Sequence, residues 1–200
     1  MMLTEQTSVP VGALPIAEMK SHLRLGTGFA DDGAQDALVE SYLRAAMAVI
    51  EGRIGKALIA RQFMWTLEDW RWASEQALPV APVTGIVSVT LRDAAGVGTV
   101  VETTRYALVQ DTHRPKLMAR EAVLPAVPPG GRIEVVFDAG FGVTWAAMPK
   151  DLLQAWLLLT AEYYERRHDV DGHTGGLPFA VQALIERWRT VRVLGGGAAR

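Results

Sequence analysis

The spacing of apolar residues changes twice along this 200-residue chain, and the change limits the folds that it can adopt. Near the start, Ile16, Met19 and Leu23 recur at helical spacing. From residue 61 to about 142, apolar and polar residues alternate, as in strands with one buried face. Helical spacing returns at Met148. Because helices and strands occupy separate stretches, we predict an α+β fold, mainly a bundle of about four helices with an inserted antiparallel β subdomain.

Four helices follow from this spacing and from the residues at their ends. The first spans residues 15–25, with Pro15 at its start. The second runs to about residue 53 and begins after Asp32 and Gln35, which can cap its first turn. The third and fourth begin at Pro149 and Pro178. The buried face of the second helix is expected to contain Leu38, Tyr42, Ala45 and Val49, with Ala46 and Ile50 beside it.

Strands are predicted where apolar residues occupy every second position. The clearest sets are Phe63, Trp65 and Leu67; Val87, Val89 and Leu91; and Ile133, Val135 and Phe137. Residues 106–109 and 116–119 are weaker candidates. Prolines and glycines between these segments are typical of turns that join short antiparallel strands.

The predicted organisation has four parts. N-terminal helices cover residues 14–60, a β subdomain covers 61–145, C-terminal helices over 146–194 complete the helical domain, and 195–200 form a flexible tail. The β segment is too long for a loop and is expected to fold as a unit.

Few side chains are available for chemistry. The absence of cysteine excludes thiol catalysis, disulfides and cysteine-ligated metals, and only four histidines are present. No phosphate-binding glycine loop or serine-nucleophile motif occurs. A protein that binds DNA tightly without regard to sequence carries a surplus of basic residues, and the net charge of −2 excludes such a surplus. We therefore predict no catalytic residue, no cofactor and no enzyme activity.

Membrane association is not expected either. No apolar stretch approaches the roughly 20 residues that cross a bilayer. The first residues lack the positive charge of a secretory signal.

The stretch His168-Asp169-Val170-Asp171-Gly172-His173 has the residue types of a metal site. Two imidazoles and two carboxylates could bind a divalent ion, but no further acidic ligand follows at the spacing of a calcium loop. We interpret the stretch as a polar loop with Asp169 and Asp171 as turn residues, and we predict no metal. A metal-dependent hydrolase that uses this loop is the alternative.

Four patterns follow one another along residues 14–168. They are EMKSHLRL (18–25) with DD (31–32); YLRAA (42–46) with IEGRIGKALI (50–59); PVTGIVSV (82–89); and FDAGFG (137–142) with MPKDL (148–152) and YYERR (163–167). In this order they resemble the head–tail connector (adaptor) proteins of tailed phages and gene transfer agents.

The resemblance implies a structural virion protein. Such a protein forms a ring, typically of about twelve copies, beneath the capsid portal, extends the DNA channel and joins the head to the tail. The implied partners are the portal protein, neighbouring copies, a tail-side stopper or terminator protein, and double-stranded DNA that passes through the lumen without specific binding. The implied location is the virion or a virus-like particle, after synthesis in the bacterial host cytoplasm. A non-viral oligomeric binding or adaptor domain is the alternative.

Two groups of residues are candidates for contacts in such a ring. The C-terminal group is assigned to the portal, because a terminal segment with arginine and tryptophan can become ordered on docking. Its alternative is a core helix with a solvated arginine face. The second group, in the β subdomain, is assigned to a neighbouring subunit or to the tail side. The groups are Arg187, Trp188, Arg189 and Arg192, and Trp70, Arg71 and Trp72.

Overall fold

A computed structural model describes residues 1–25, 33, 35–167 and 176–189 of the chain. These residues contain four α-helices and eight β-strands. The helices lie towards the two ends of the chain, and seven of the strands lie between α2 and α3. The α+β fold with four helices that the sequence predicts is therefore confirmed.

The helices share one hydrophobic core. They are α1 (Ile16–His22), α2 (Asp36–Ile54), α3 (Lys150–Glu165) and α4 (Phe179–Ile185), and α4 continues into a short 3-10 turn (Glu186–Trp188). The Trp156 side chain on α3 is fully buried, and its indole N–H donates a hydrogen bond to the carbonyl of Leu43 on α2 at 2.8 Å. This bond links the two longest helices at the centre of the bundle.

The ends of these helices follow from local chemistry. Pro149 and Pro178 directly precede α3 and α4, where their fixed φ suits the start of a helix and their missing N–H costs nothing. Gly55 ends α2 with φ of 68°, a left-handed conformation that glycine adopts without strain. The predicted cap Asp32 lies outside the described residues.

The expected buried face of α2 is confirmed only in part: Ala46 and Ile50 are fully buried, but none of the four residues predicted at its centre is. Leu38 and Val49 are each 40% exposed, and Ala45 is exposed as well. The residues that pack into the core lie about 100° further round the helix, one position later in the sequence. They are Val39, Leu43, Ala46, Met47, Ile50 and Ile54. The helix thus has two apolar faces, and periodicity alone does not decide between them.

The larger sheet has five antiparallel strands in the order β1-β2-β8-β4-β5. They are β1 (Met2–Glu5), β2 (Arg61–Leu67), β4 (Val83–Arg92), β5 (Gly98–Val100) and β8 (Arg132–Ala139). A smaller sheet, in the order β3-β7-β6, contains β3 (Glu75–Ala77), β6 (Tyr106–Val109) and β7 (Lys116–Ala119). Both weaker strand candidates are confirmed. The strands enclose a second hydrophobic core, separate from that of the helices.

Two details of the larger sheet differ from the sequence prediction. The N-terminal strand β1 is added at one edge, although all four of its residues are exposed and no alternating apolar pattern announces it. Val87 is exposed and does not share the buried face of Val89. The pairing of β4 with β8 shifts register twice, so Thr84 and Val87 are extra residues that change which face the following side chains occupy.

The junction between β8 and the helices requires a glycine. Gly140 has φ of 141°, and a Cβ placed on it would lie 2.3 Å from the Cα of Ala60. The chain therefore passes so close to the segment between α2 and β2 that no side chain fits there. The division into residues 14–60, 61–145 and 146–194 stays a prediction, and β1 joins the sheet from outside the middle segment.

Candidate functional site

The C-terminal candidate residues lie where the helices meet the β hairpin loop between β6 and β7. The partly buried Trp188 packs edge-on against Phe141, with ring centroids 5.3 Å apart, and lies 6.4 Å from the His113 ring. Its indole N–H donates to Oδ2 of Asp151, at the start of α3, at 2.7 Å. Trp188 is thus engaged within the subunit and fixes the last described turn against α3.

The neighbouring arginines remain on the surface. Nε of Arg187 lies 2.7 Å from Oδ2 of Asp151, and its guanidinium lies over the Trp188 ring at 4.8 Å, but most of its side chain is exposed. Arg189 pairs with Glu186 at 3.1 Å and is also exposed. Both guanidinium groups face solvent and can exchange these surface pairs at little cost. Arg192 lies outside the described residues.

The second candidate group lies in the connection between β2 and β3. Trp70 is partly buried against the core of the sheets, and its indole N–H donates to the carbonyl of Pro125 at 2.8 Å. The backbone N–H of Arg71 donates to Oε1 of Gln76 at 2.8 Å. These contacts hold the connection in place while the Trp72 side chain is 62% exposed. Within this group the structure presents Trp72 and Arg71 to solvent and uses Trp70 as an anchor.

Sequence reasoning did not find the buried ion cluster that joins α2, β1 and β2. The Arg61 guanidinium donates to both carboxylate oxygens of Glu51, at 2.9 and 2.7 Å, and to Oε1 of Glu5 at 2.7 Å. Burial by itself would lower the pKa of Arg61, but the two carboxylates outweigh it and hold that pKa above its ordinary value. The cluster links the helical core to the sheet. A buried arginine at the start of a strand gives no periodic signal that could have revealed it.

A buried lysine lies near the same junction. Lys56 follows the end of α2, is 1% exposed, and its Nζ forms no hydrogen bond with the residues that the structure describes. Burial lowers the pKa of Lys56, and the carboxylate of Asp111 partly offsets this. Asp111 in turn accepts hydrogen bonds from the backbone N–H groups of Arg114 and His113, which lower its pKa. The hairpin loop therefore lies between Lys56 and Trp188.

Among the residues described, no group of three or more histidine, aspartate or glutamate side chains is placed to hold a metal ion. The loop His168–His173 lies outside them, so the hypothesis about it is untested. Over the same described part of the chain, no helix is both long and apolar enough to cross a bilayer.

The chain is closely similar to chains in several solved structures. No family model matches the chain, and no curated protein sequence matches it. A chain from the neck of an empty gene transfer agent (GTA) particle, computed with C6 symmetry, is 59% identical with a TM-score of 0.89. Chains from the virion of a native GTA particle and from the neck of a native GTA particle computed with C12 symmetry are 58% and 52% identical, with TM-scores of 0.86 and 0.84.

Each match covers 98% of this chain and 99% of the other. Identity of this size over whole chains includes the helices, both sheets and their connections, so it reaches beyond a shared fold. The chain belongs to the family of gene transfer agent neck proteins.

Proposed function

We propose that this protein is a head–tail connector (adaptor) that forms a ring of about twelve copies under the capsid portal, extends the DNA channel and joins the head to the tail. The observation that carries the proposal is the full-length similarity to chains from GTA particles, two of them from neck structures computed with C6 and C12 symmetry. The protein acts as a structural part of the particle and not as an enzyme. It is made in the bacterial host cytoplasm and is then incorporated into the particle.

The charge distribution supports passage of DNA without specific binding. Several basic side chains are neutralised within the subunit, such as Lys20 by Asp36, Arg44 by Glu40 and Arg92 by Glu134. Paired cations release few counterions from phosphates, so their affinity for DNA is low. With a net charge of −2, the subunit is suited to a channel through which a duplex slides.

The portal contact is assigned to the surface of the last turn. Arg187 and Arg189 supply exposed guanidinium groups that bind carboxylates, and Arg192 follows in the chain. Trp188 contributes by holding this turn on α3 and Phe141. Trp72 and Arg71, on the β subdomain, are assigned to a neighbouring subunit or to the tail-side stopper or terminator protein.

Co-purification with a portal ring tests the function. The full chain is expected to sediment with the portal and to appear as a ring in negative-stain images. A chain that stays monomeric in the presence of the portal would contradict the proposal.

Charge-removing variants test the portal contact. Arg187→Ala with Arg189→Ala should weaken the co-purification, because both side chains are exposed and the fold does not depend on them. Arg105→Ala, which removes another exposed arginine from a surface ion pair, is the matched control. Equal portal binding by the double variant and the control would refute the assignment.

A further inference from the structure

One exposed face of α2 carries only small or apolar residues and no charge. It contains Leu38, Ser41, Ala45, Ala48, Val49 and Gly52, which we call the outer face of α2; all six are exposed. At 3.6 residues per turn they form one stripe about 100° wide. A surface helix normally carries charged residues on the side that faces solvent. On α2 the only exposed charged residue is Arg53, at the border of the stripe.

Four of the five charged residues of α2 are engaged by their own subunit. Asp36 pairs with Lys20, Glu40 with Arg44, and Glu51 with Arg61. A surface that covers the stripe desolvates none of these four, and the exposed guanidinium of Arg53 can stay in water at the border of the stripe.

The stripe is also shaped for close approach. A Cβ placed on Gly52 would meet nothing within 4 Å. Alanine, serine and glycine at successive turns leave a shallow groove, in which a neighbouring element can come close to the helix backbone. Leu38 and Val49, each 40% exposed, supply apolar area at its two ends.

We propose that the outer face of α2 packs against a neighbouring copy of this chain in the ring, an inference that rests on the proposed ring function. A cyclic ring is built from heterologous contacts, so each subunit presents two different surfaces to its two neighbours. Chains similar to this one over 98% of its length come from neck structures computed with C6 and C12 symmetry. Contacts with a neighbouring copy in the assembly then explain why this exposed face of the helix is apolar, which no contact within the single subunit does.

The dimensions fit the centre of such an interface. From residue 38 to 52 the helix rises about 21 Å. A stripe of that length and about 10 Å wide covers roughly 200 Å², a quarter of the area that one partner contributes to an interface of standard size. The remainder is the polar rim that surrounds an apolar interface core.

Thiol labelling tests the inference, because the chain has no cysteine of its own. The Ala45→Cys thiol should react with a maleimide in the free subunit and at least 10-fold more slowly in the assembled ring. Ala183→Cys, at an exposed alanine of α4, is the matched control and should react in both states; Ala46→Cys, at a buried alanine, should react in neither. Labelling after unfolding defines complete reaction. Equal reactivity of the Ala45→Cys thiol before and after assembly would overturn the inference.

A second variant measures assembly directly. Ala45→Arg should leave the melting temperature of the subunit within about 2 °C of the parent and abolish rings, whereas Ala183→Arg should retain them. Rings formed by Ala45→Arg would overturn the inference while leaving the connector function in place. If the parent chain forms no ring, with or without the portal, the proposed function fails and this inference fails with it.

Discussion

Replacement of Arg61 by methionine should destabilise the protein by about 3–5 kcal/mol. The guanidinium donates four hydrogen bonds, two to Glu51, one to Glu5 and one to the carbonyl of Ile59. The Arg61 side chain is 5% exposed and that of Glu51 is 12% exposed. Methionine fills a similar volume, so the dominant cost is the Glu51 carboxylate, which stays buried without its cation.

Two further variants separate this cost from the loss of a surface ion pair. Glu5→Gln should cost only about 0–1 kcal/mol, because the Glu5 side chain is 51% exposed and water replaces the lost contact. Glu51→Gln combined with Arg61→Met should recover part of the loss. In the parent, the N–H of Leu58 donates to Oε1 of Glu51 at 2.7 Å. The amide oxygen of the introduced glutamine can still accept this hydrogen bond, and the double variant leaves no buried charge.

Urea unfolding followed by far-UV circular dichroism gives the free energies, and an unchanged m-value shows that the variants unfold from equally compact states. A loss for Arg61→Met equal to that for Glu5→Gln would refute the argument from burial. So would a double variant whose loss is the sum of its two single losses, since contacting groups that share a buried charge are not additive.

Three other substitutions have defined outcomes. Lys56→Met should raise the free energy of unfolding by about 1–3 kcal/mol at pH 7, because it removes a buried ammonium without a hydrogen bond. Since the folded-state pKa of Lys56 is lowered, the parent should gain stability as the pH rises towards 10.5, and thermal melts of the variant should lack that gain. Gly140→Ala should cost about 3 kcal/mol or more in urea unfolding, because its φ of 141° and the Ala60 backbone exclude a Cβ; a loss below 1 kcal/mol would contradict this. Burial raises the pKa of Glu134, but Arg92 and Arg132 outweigh burial, so the folded-state pKa is lowered. The Glu134 carboxylate therefore stabilises the protein above pH 4.5, and this contribution is lost as the pH falls through the folded-state pKa. Glu134→Gln should therefore flatten the acid limb of the stability curve, and an acid titration of Tm that matches the parent would disprove it.

Much of the fold could be predicted from local pattern. Phe63, Trp65 and Leu67 occupy alternate positions in β2 and are all buried, and Pro149 directly precedes α3, where its fixed φ suits the start of a helix. Such features depend on residues only a few positions apart, so they can be predicted from the sequence. β1 escaped prediction because its pairing with β2 joins residues about 60 positions apart and buries none of its four side chains.

The exposure of the candidate contact residues could be predicted only in part, and their contacts with other chains stay a prediction. Their residue types were informative, since arginine and tryptophan are enriched in interfaces. The sequence could not show that Trp70 reaches Pro125 and that Trp188 reaches Asp151, whereas Trp72 contacts solvent. Which tryptophan anchors the fold and which is exposed depends on partners that are distant in sequence.

The sequence by itself determined the class of the fold, the order of helices and strands, and the near absence of reactive side chains. Periodicity depends on residues that are close in the sequence, and composition depends on residue types alone. Only the tertiary structure decided which of the two apolar faces of α2 enters the core. Leu43 and Ile50 lie against α3 and its neighbours, and Ala45 and Val49 are left outside. Both faces satisfy the same 3.6-residue period, and the choice is made by the helices that pack against one of them.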